Sequence, residues 1–232
     1  MANSFTFGEH STTEFGLIIS KKKIYSTPAR NVSFLSVPGR SGDIISDDGS
    51  YPNIEVSYTV GCKNIGSQLE NIASWLSQPG YLRLSDTYMP NFFRLAANVS
   101  GQSWDEQLLN FGEATLTFNC KPFRYLVSGE NTTTFTTSGT ITNPTNFSSL
   151  PHIKITGSGN VTLHVNSNSY LLSTISPNIE IDSEMMSVYR GTTLLNNKVG
   201  FDEFPVLEPG DNSISWTGTV TKVEIVPRWR CL

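Results

Sequence analysis

The chain has 232 residues, of which 16% are charged, and Lys+Arg 16 against Asp+Glu 20 leaves a net charge of -4. That length holds one large β-domain or two small ones with cores of their own, while the low charge, with Gly 18 and Pro 12, reads as many short strands and turns. Tight phosphate binding is excluded because no basic run exceeds Lys21-Lys22-Lys23, a membrane-spanning helix because no apolar run approaches roughly 18–20 residues, and a disulfide framework because Cys 3 is odd and sparse.

The opening MANSFTFGEH lacks the charged and apolar blocks of a secretory leader, so synthesis in a reducing cytoplasm with free, mostly buried thiols is expected. Strands are predicted over Ser4–Gly8, Phe15–Ile19 and Asn31–Val37. Ile54, Val56, Tyr58 and Val60 fall on one face of a strand, with Glu55, Ser57 and Thr59 on the other. In the segment that follows, Ile65, Leu69, Ile72, Ala73 and Leu76 lie on one helical stripe, which predicts a packing helix over 65–77. Asn64 suits its N-cap, and Pro79-Gly80 ends it. Further strands are predicted at Tyr81–Ser85, at Phe92–Ser100, and around Ala114, Leu116, Phe118 and Cys120.

From Gly129 to Ser149 the chain becomes rich in Thr, Ser and Asn, as a linker or an edge strand opening a second domain would. Two domains are expected, 1–129 and 130–232. The second half alternates again at Ile153/Ile155, Val161/Leu163/Val165, Ile179/Ile181, Ile214/Trp216 and Val223/Ile225, with turn clusters at intervals of about ten residues or a little more. This pattern predicts an antiparallel sandwich or jelly roll.

Motifs for chemistry are sparse. His10, His152 and His164 sit in unrelated contexts without metal-ligand spacing. Gly39-Arg40-Ser41-Gly42 has the wrong spacing for a nucleophile elbow, and no phosphate-cradling glycine loop occurs. Asp182 and Glu184 would share a strand face about 6.5–7 Å apart, within the range of a glycosidase pair, but no aromatic cluster surrounds them in the sequence. A non-enzymatic protein without cofactor or metal is expected. One segment stands out: 36–53 is polar and glycine-rich, has strand character at Gly42–Ser46, and is bracketed by Pro38-Gly39 and Asp48-Gly49. It reads as a hairpin arm, about 37–53, that overhangs the domain body and docks its edge on a neighbour. Such a head-to-tail contact closes into a ring if the rotation permits.

Several fragments, in order along nearly the whole chain, carry a resemblance. They are Val37-Pro38-Gly39-Arg40-Ser41-Gly42-Asp43 and Asp47-Asp48-Gly49-Ser50-Tyr51, then Pro151-His152-Ile153-Lys154-Ile155-Thr156-Gly157-Ser158-Gly159 and Ile181-Asp182-Ser183-Glu184. Phe204-Pro205-Val206-Leu207-Glu208-Pro209-Gly210-Asp211-Asn212 and the closing Pro227-Arg228-Trp229-Arg230 complete the set. Together they make the sequence resemble the distal tail (Dit) proteins of long, non-contractile-tailed bacteriophages.

The resemblance implies a mainly β fold of two domains. The first would be a split-barrel-like β-domain with one α-helix and a protruding hairpin arm, and the second a galectin-like or jelly-roll β-sandwich. In some relatives the last residues return to the first domain, which would assign 223–232 to it. It also implies a homohexameric ring at the distal end of a virion tail. That ring would join the tail tube protein to the tape-measure and tip or receptor-binding proteins, with DNA only passing through its lumen and no membrane involved. The interface residues expected on the arm are Pro38, Gly39, Arg40, Gly42, Asp47, Asp48, Gly49 and Tyr51, with Arg40 pairing a carboxylate of the adjacent subunit. The alternative is a carbohydrate-binding module that recognises host glycans through the second domain. Against it, the chain has no room for the carbohydrate-binding insertion of some relatives, and Trp216 and Tyr170 read as core or strand residues.

Overall fold

The computed structural model describes residues 3–22, 26–63, 66, 68–99, 101, 103–107 and 111–232. Its contacts divide the chain into two compact units, 1–124 with Leu232 and 125–231. It is a mainly β chain with one α-helix among the described residues and a separate exposed hairpin, the fold class that the resemblance implies. That helix is too short to cross a membrane.

The first unit contains β1 (Phe5–Phe7), β2 (His10–Ser11), β3 (Ile18–Lys22), β4 (Val32–Leu35), β5 (Ile44–Asp47), β6 (Ile54–Lys63), α1 (Leu69–Leu76), β7 (Leu82–Asp86), β8 (Phe92–Ala97), β9 (Asp105–Gln107) and most of β10 (Phe111–Leu126). One sheet runs β2-β1-β7-β8-β10-β6-β3, so β3 is a terminal edge. The alternation read in β6 and β10 holds: Tyr58, Val60, Ala114, Leu116, Phe118 and Cys120 are all buried. Around them the rings of Phe5, Phe7, Tyr58 and Phe118 interlock, with Phe5 4.5 Å from Tyr58 and Phe7 4.9 Å from Phe118 between centroids.

The helix differs from its prediction. Asn64 and Ile65 lie outside the described residues; α1 spans Leu69–Leu76, with Gln68 in the N-cap position and no side-chain cap. Its buried face is Ile72, Trp75 and Leu76, while Ala73 faces outward. The large indole displaces the small alanine from the core, since it buries more area and its Nε1–H reaches the Phe7 carbonyl at 2.9 Å. Phe15–Ile19 is not one strand either. Ser11-Thr12-Thr13-Glu14 forms a capping box, in which Glu14 Oε1 accepts the Ser11 N–H at 2.9 Å, and Thr12–Phe15 is a 3₁₀ turn before β3.

The second unit holds β11 (Thr133–Phe135), β12 (Gly139–Asn143), β13 (His152–Val165), β14 (Asn168–Ile175), β15 (Asn178–Asp182), β16 (Ser187–Arg190), β17 (Thr193–Leu194), β18 (Gly210–Val226) and β19 (Arg230–Cys231). The order is β11-β18-β13-β15-β16-β17, with β12 on β18 and β14 on β13. The Thr/Ser/Asn-rich segment supplies β11 and β12, which both pair with β18. Ile153, Ile155, Leu163, Ile179, Ile181, Val223 and Ile225 are the centre of the core. Tyr170 is buried in it, and Trp216 packs against it.

Phe118 contacts three rings at the centre of the first core. Phe118→Ala is expected to cost about 3–5 kcal/mol, read as a lower urea midpoint for the first unit with the second unit's transition unchanged.

Candidate functional site: an exposed hairpin arm

Between β3 and β6 the chain leaves the sheet and forms a two-stranded hairpin, β4 with β5. Val32 pairs with Asp47, Ser33 with Ser46, Phe34 with Ile45 and Leu35 with Ile44. Residues directly opposite share a face, so Val32, Phe34 and Ile45 line one side and Leu35 and Ile44 the other. Both sides are open: Phe34 is 64% exposed, Leu35 62% and Ile45 61%. The expected body strand Asn31–Val37 is thus the arm's first limb, and the arm begins earlier than the glycine-rich stretch suggested. Period two in the sequence reports the pleat; it does not report what covers it.

The tip is shaped by backbone rather than side chains. Pro38 and Gly39 form a turn closed by the Arg40 N–H on the Val37 carbonyl at 3.1 Å. Gly39 and Gly42 both take left-handed φ, 79° and 83°, which an L side chain rarely adopts. The Arg40 and Asp43 side chains have no partner among the described residues, so both charges are available at the tip.

Asp47, Asp48, Gly49 and Tyr51 lie at the opposite end, where the arm joins the body. Asp47 Oδ1 accepts the Gly49 N–H at 2.8 Å, and its Oδ2 pairs with Arg30 Nε at 2.8 Å. Asp48 Oδ1 accepts the Ser50 N–H at 2.9 Å and the Ser50 hydroxyl at 2.7 Å, while its Oδ2 accepts from Asn31 at 3.0 Å. The Ser50 backbone and side-chain bonds, with that of Asn31, hold the Asp48 carboxyl below its ordinary value. The Tyr51 ring meets Phe123 edge-on at 5.9 Å. These residues brace the root, so the expected interface set divides into a free tip and an anchored base.

The root is held further by residues that the sequence reading missed. Arg94, 9% exposed, donates to the Ser26 carbonyl at 3.1 Å and the Pro122 carbonyl at 3.0 Å. Asn53 Nδ2 donates to Tyr81 Oη at 2.6 Å and Asn119 Oδ1 at 2.7 Å. Both limbs are therefore tied to the sheet before the arm leaves it. Lys22 pairs with Asp86, which also accepts from Tyr58 Oη at 2.7 Å. Burial raises the Tyr58 phenol, and the Asp86 charge raises it further, so it stays a donor. These groups form one side of a cavity of about 120 Å³ whose other side is apolar, with Val56, Leu84, Phe92 and Phe93.

Asp182 and Glu184 do not share a strand face. β15 ends at Asp182, which is 2% exposed and held by Arg228 through two bonds of 2.8 Å. Its Oδ1 also accepts the N–H groups of Glu184 and Met185 at 3.0 Å. Burial pushes this carboxyl up, but the Arg228 and Met185 bonds and the Arg228 and His152 charges outweigh it and hold it below the usual range. Such a carboxylate is occupied with the turn and poorly placed for acid–base work. Across the open side of the second sheet, a shallow groove of about 310 Å³ is lined by Thr132, His152, Lys154, Thr156, Lys222, Glu224 and Val226, with the His152 imidazole the one ring among them. Cys62 and Cys120 are buried and Cys231 half-buried, all as free thiols; burial pushes Cys120 up to about 12.

Arg228→Ala strands the buried Asp182 charge and is expected to cost about 3–5 kcal/mol, read by thermal or urea unfolding of the second unit. Because the folded pKa of Asp182 is depressed, its stabilisation is present above the unfolded value of about 3.9 and fades as pH falls through the folded one. Asp182→Asn is expected to flatten that acid limb.

No protein-family model and no curated protein sequence matches the chain. Among solved structures it is similar to SPP1 Dit (gp 19.1), described as a paradigm of the hub adsorption apparatus in phages that infect Gram-positive bacteria. The two chains are 12% identical, each is covered over 100% of its length, and the TM-score is 0.77. The chain therefore has, from end to end, the fold of a phage tail hub protein.

Proposed function

We propose that this protein is a structural hub of a phage tail tip. Subunits assemble through the arm into a homohexameric ring at the distal end of the tail. The ring joins the tail tube to the tape-measure and tip or receptor-binding proteins. The carrying observation is the exposed arm, with apolar groups on both faces, on a chain whose whole fold is that of SPP1 Dit. An uncovered hairpin of this composition is an association surface, and a contact between unlike surfaces is the kind that generates rings.

The role is structural rather than enzymatic on this reading, and DNA passes through the lumen without being gripped. With a net charge of -4 per subunit, the ring offers little of the cationic surface that holds phosphates. Arg40 and Asp43 at the tip set the docking register, and the braced root aims it.

Deletion of residues 39–50 removes the tip, β5 and the Asp47–Ser50 part of the base, and leaves both cores intact. The full-length protein is expected to show a hexamer-sized species in size exclusion with light scattering across a concentration series. The deletion variant is expected to give folded monomers with unchanged unfolding. Rings from the deletion variant would exclude the arm as the assembly device.

A further inference from the structure

The base of the arm contains a peptide bond that is chemically labile. Asp48-Gly49 is the one Asp-Gly pair in the chain, and no Asn-Gly pair occurs. Such a pair rearranges more readily than aspartate before other residues, because glycine has no Cβ to crowd its own nitrogen. That nitrogen attacks the side-chain carboxyl carbon of the aspartate. The carboxyl hydroxyl leaves as water with the nitrogen's proton, and a cyclic imide forms. Water then opens the imide. Breaking the bond from nitrogen to the side-chain carbon restores aspartate. Breaking the bond to the main-chain carbon leaves isoaspartate, with the chain now running through the side chain. No atom is gained or lost overall.

This chemistry makes two demands. The carboxyl must be neutral, since a carboxylate has no hydroxyl to lose, and the glycine N–H must be free to give up its proton. The base of the arm opposes both. Asp48 Oδ1 accepts the Ser50 N–H at 2.9 Å and the Ser50 hydroxyl at 2.7 Å, and its Oδ2 accepts from Asn31 at 3.0 Å. Bonds of this kind favour the ionised form. The Gly49 N–H is donated to Asp47 Oδ1 at 2.8 Å, and the other oxygen of Asp47 is fixed by Arg30 at 2.8 Å. Little else shields the site: residues 47–50 are all exposed, and the space where a Cβ would stand on Gly49 is empty to 4 Å among the described residues.

We propose that Asp48-Gly49 is a site of isoaspartate formation that the folded base of the arm keeps closed, with Asp47 as the residue that withholds the attacking nitrogen. The assignment does not depend on what the arm docks on. Isoaspartate adds a methylene to the backbone and shortens the side chain by the same group. The bonds to Ser50 and Asn31 are then lost as they stand, and the turn from β5 into β6 loses its brace.

The full-length protein is aged in neutral buffer, folded or in guanidinium chloride. Isoaspartate at position 48 is followed by peptide mapping and by labelling with a protein isoaspartyl methyltransferase. Conversion in the denaturant is expected to be about tenfold faster than in the folded chain, or more, a difference of ~1.4 kcal/mol in barrier. Folded Asp47→Ala is expected to lose most of that protection. Asp47→Asn keeps an acceptor for the Gly49 N–H, and Arg30→Ala keeps Asp47 itself, so both are expected to stay protected. The arm lies outside both cores, so unfolding curves of all three variants are expected to match the parent's. Equal rates in the folded and unfolded parent overturn the proposal. Protection that survives in Asp47→Ala removes Asp47 from the role given to it. Rapid conversion in Asp47→Asn or Arg30→Ala does the same, because any loosening of the base would then open the site.

Discussion

A two-stranded hairpin has no interior. Whatever apolar groups it carries must be covered by something else or stay wet, and isolated hairpins are marginal in water for that reason. The arm of this protein has Phe34 and Ile45 on one face and Leu35 and Ile44 on the other, all exposed. Neither face turns back onto its own sheet. The chain instead spends its polar interactions on fixing where the arm starts, and leaves the far end open. This missing cover is the constraint from which the functional reading follows.

The root shows how that constraint is handled. Charged groups are rarely buried unless their bonds are satisfied. Arg94 is buried all the same, and two of its nitrogens go to backbone carbonyls on the arm's entry limb and on β10. Asn53 ties down the exit limb through side chains instead, donating to Tyr81 Oη and Asn119 Oδ1. A limb held by several directed bonds loses much of its freedom before any partner arrives, so less ordering entropy opposes docking. The Asx-type bonds of Asp47 and Asp48 belong to this bracing.

The second unit solves a different problem by similar means. Its turn after β15 is locked by the buried Asp182–Arg228 pair and by two backbone N–H groups on the same carboxylate. Satisfied in this way, a buried ion pair specifies one local arrangement more than it adds stability. The same pairing removes the two carboxylates from consideration as an acid–base couple. The open groove of this unit is lined by charged and polar groups with the His152 imidazole as its one ring, and by no Phe, Tyr or Trp.

Much of this was legible in the residues. Alternation along β6, β10, β13 and β18 is set by which side chains must leave water, and each of those strands buries the face that its pattern assigns. The arm was visible as glycine, proline and polar residues around a short strand, because turn chemistry is local. Its first limb was not, since Val32 and Phe34 alternate like any half-buried strand and nothing local says that no sheet lies beneath them. The helix face was misjudged for a related reason: Trp75 lies off the simple apolar stripe, and its place in the core depends on the Phe7 carbonyl, 68 residues earlier. The capping box at Ser11–Glu14 could have been found, as its signature is purely local. Arg94 and Asn53 could not, because each depends on partners that only the folded sheet brings together. The sequence by itself determined the alternating strands of both cores and the turns between them. Tertiary structure alone decided which apolar faces are left uncovered, because burial is a property of what lies opposite a residue and not of the residue itself.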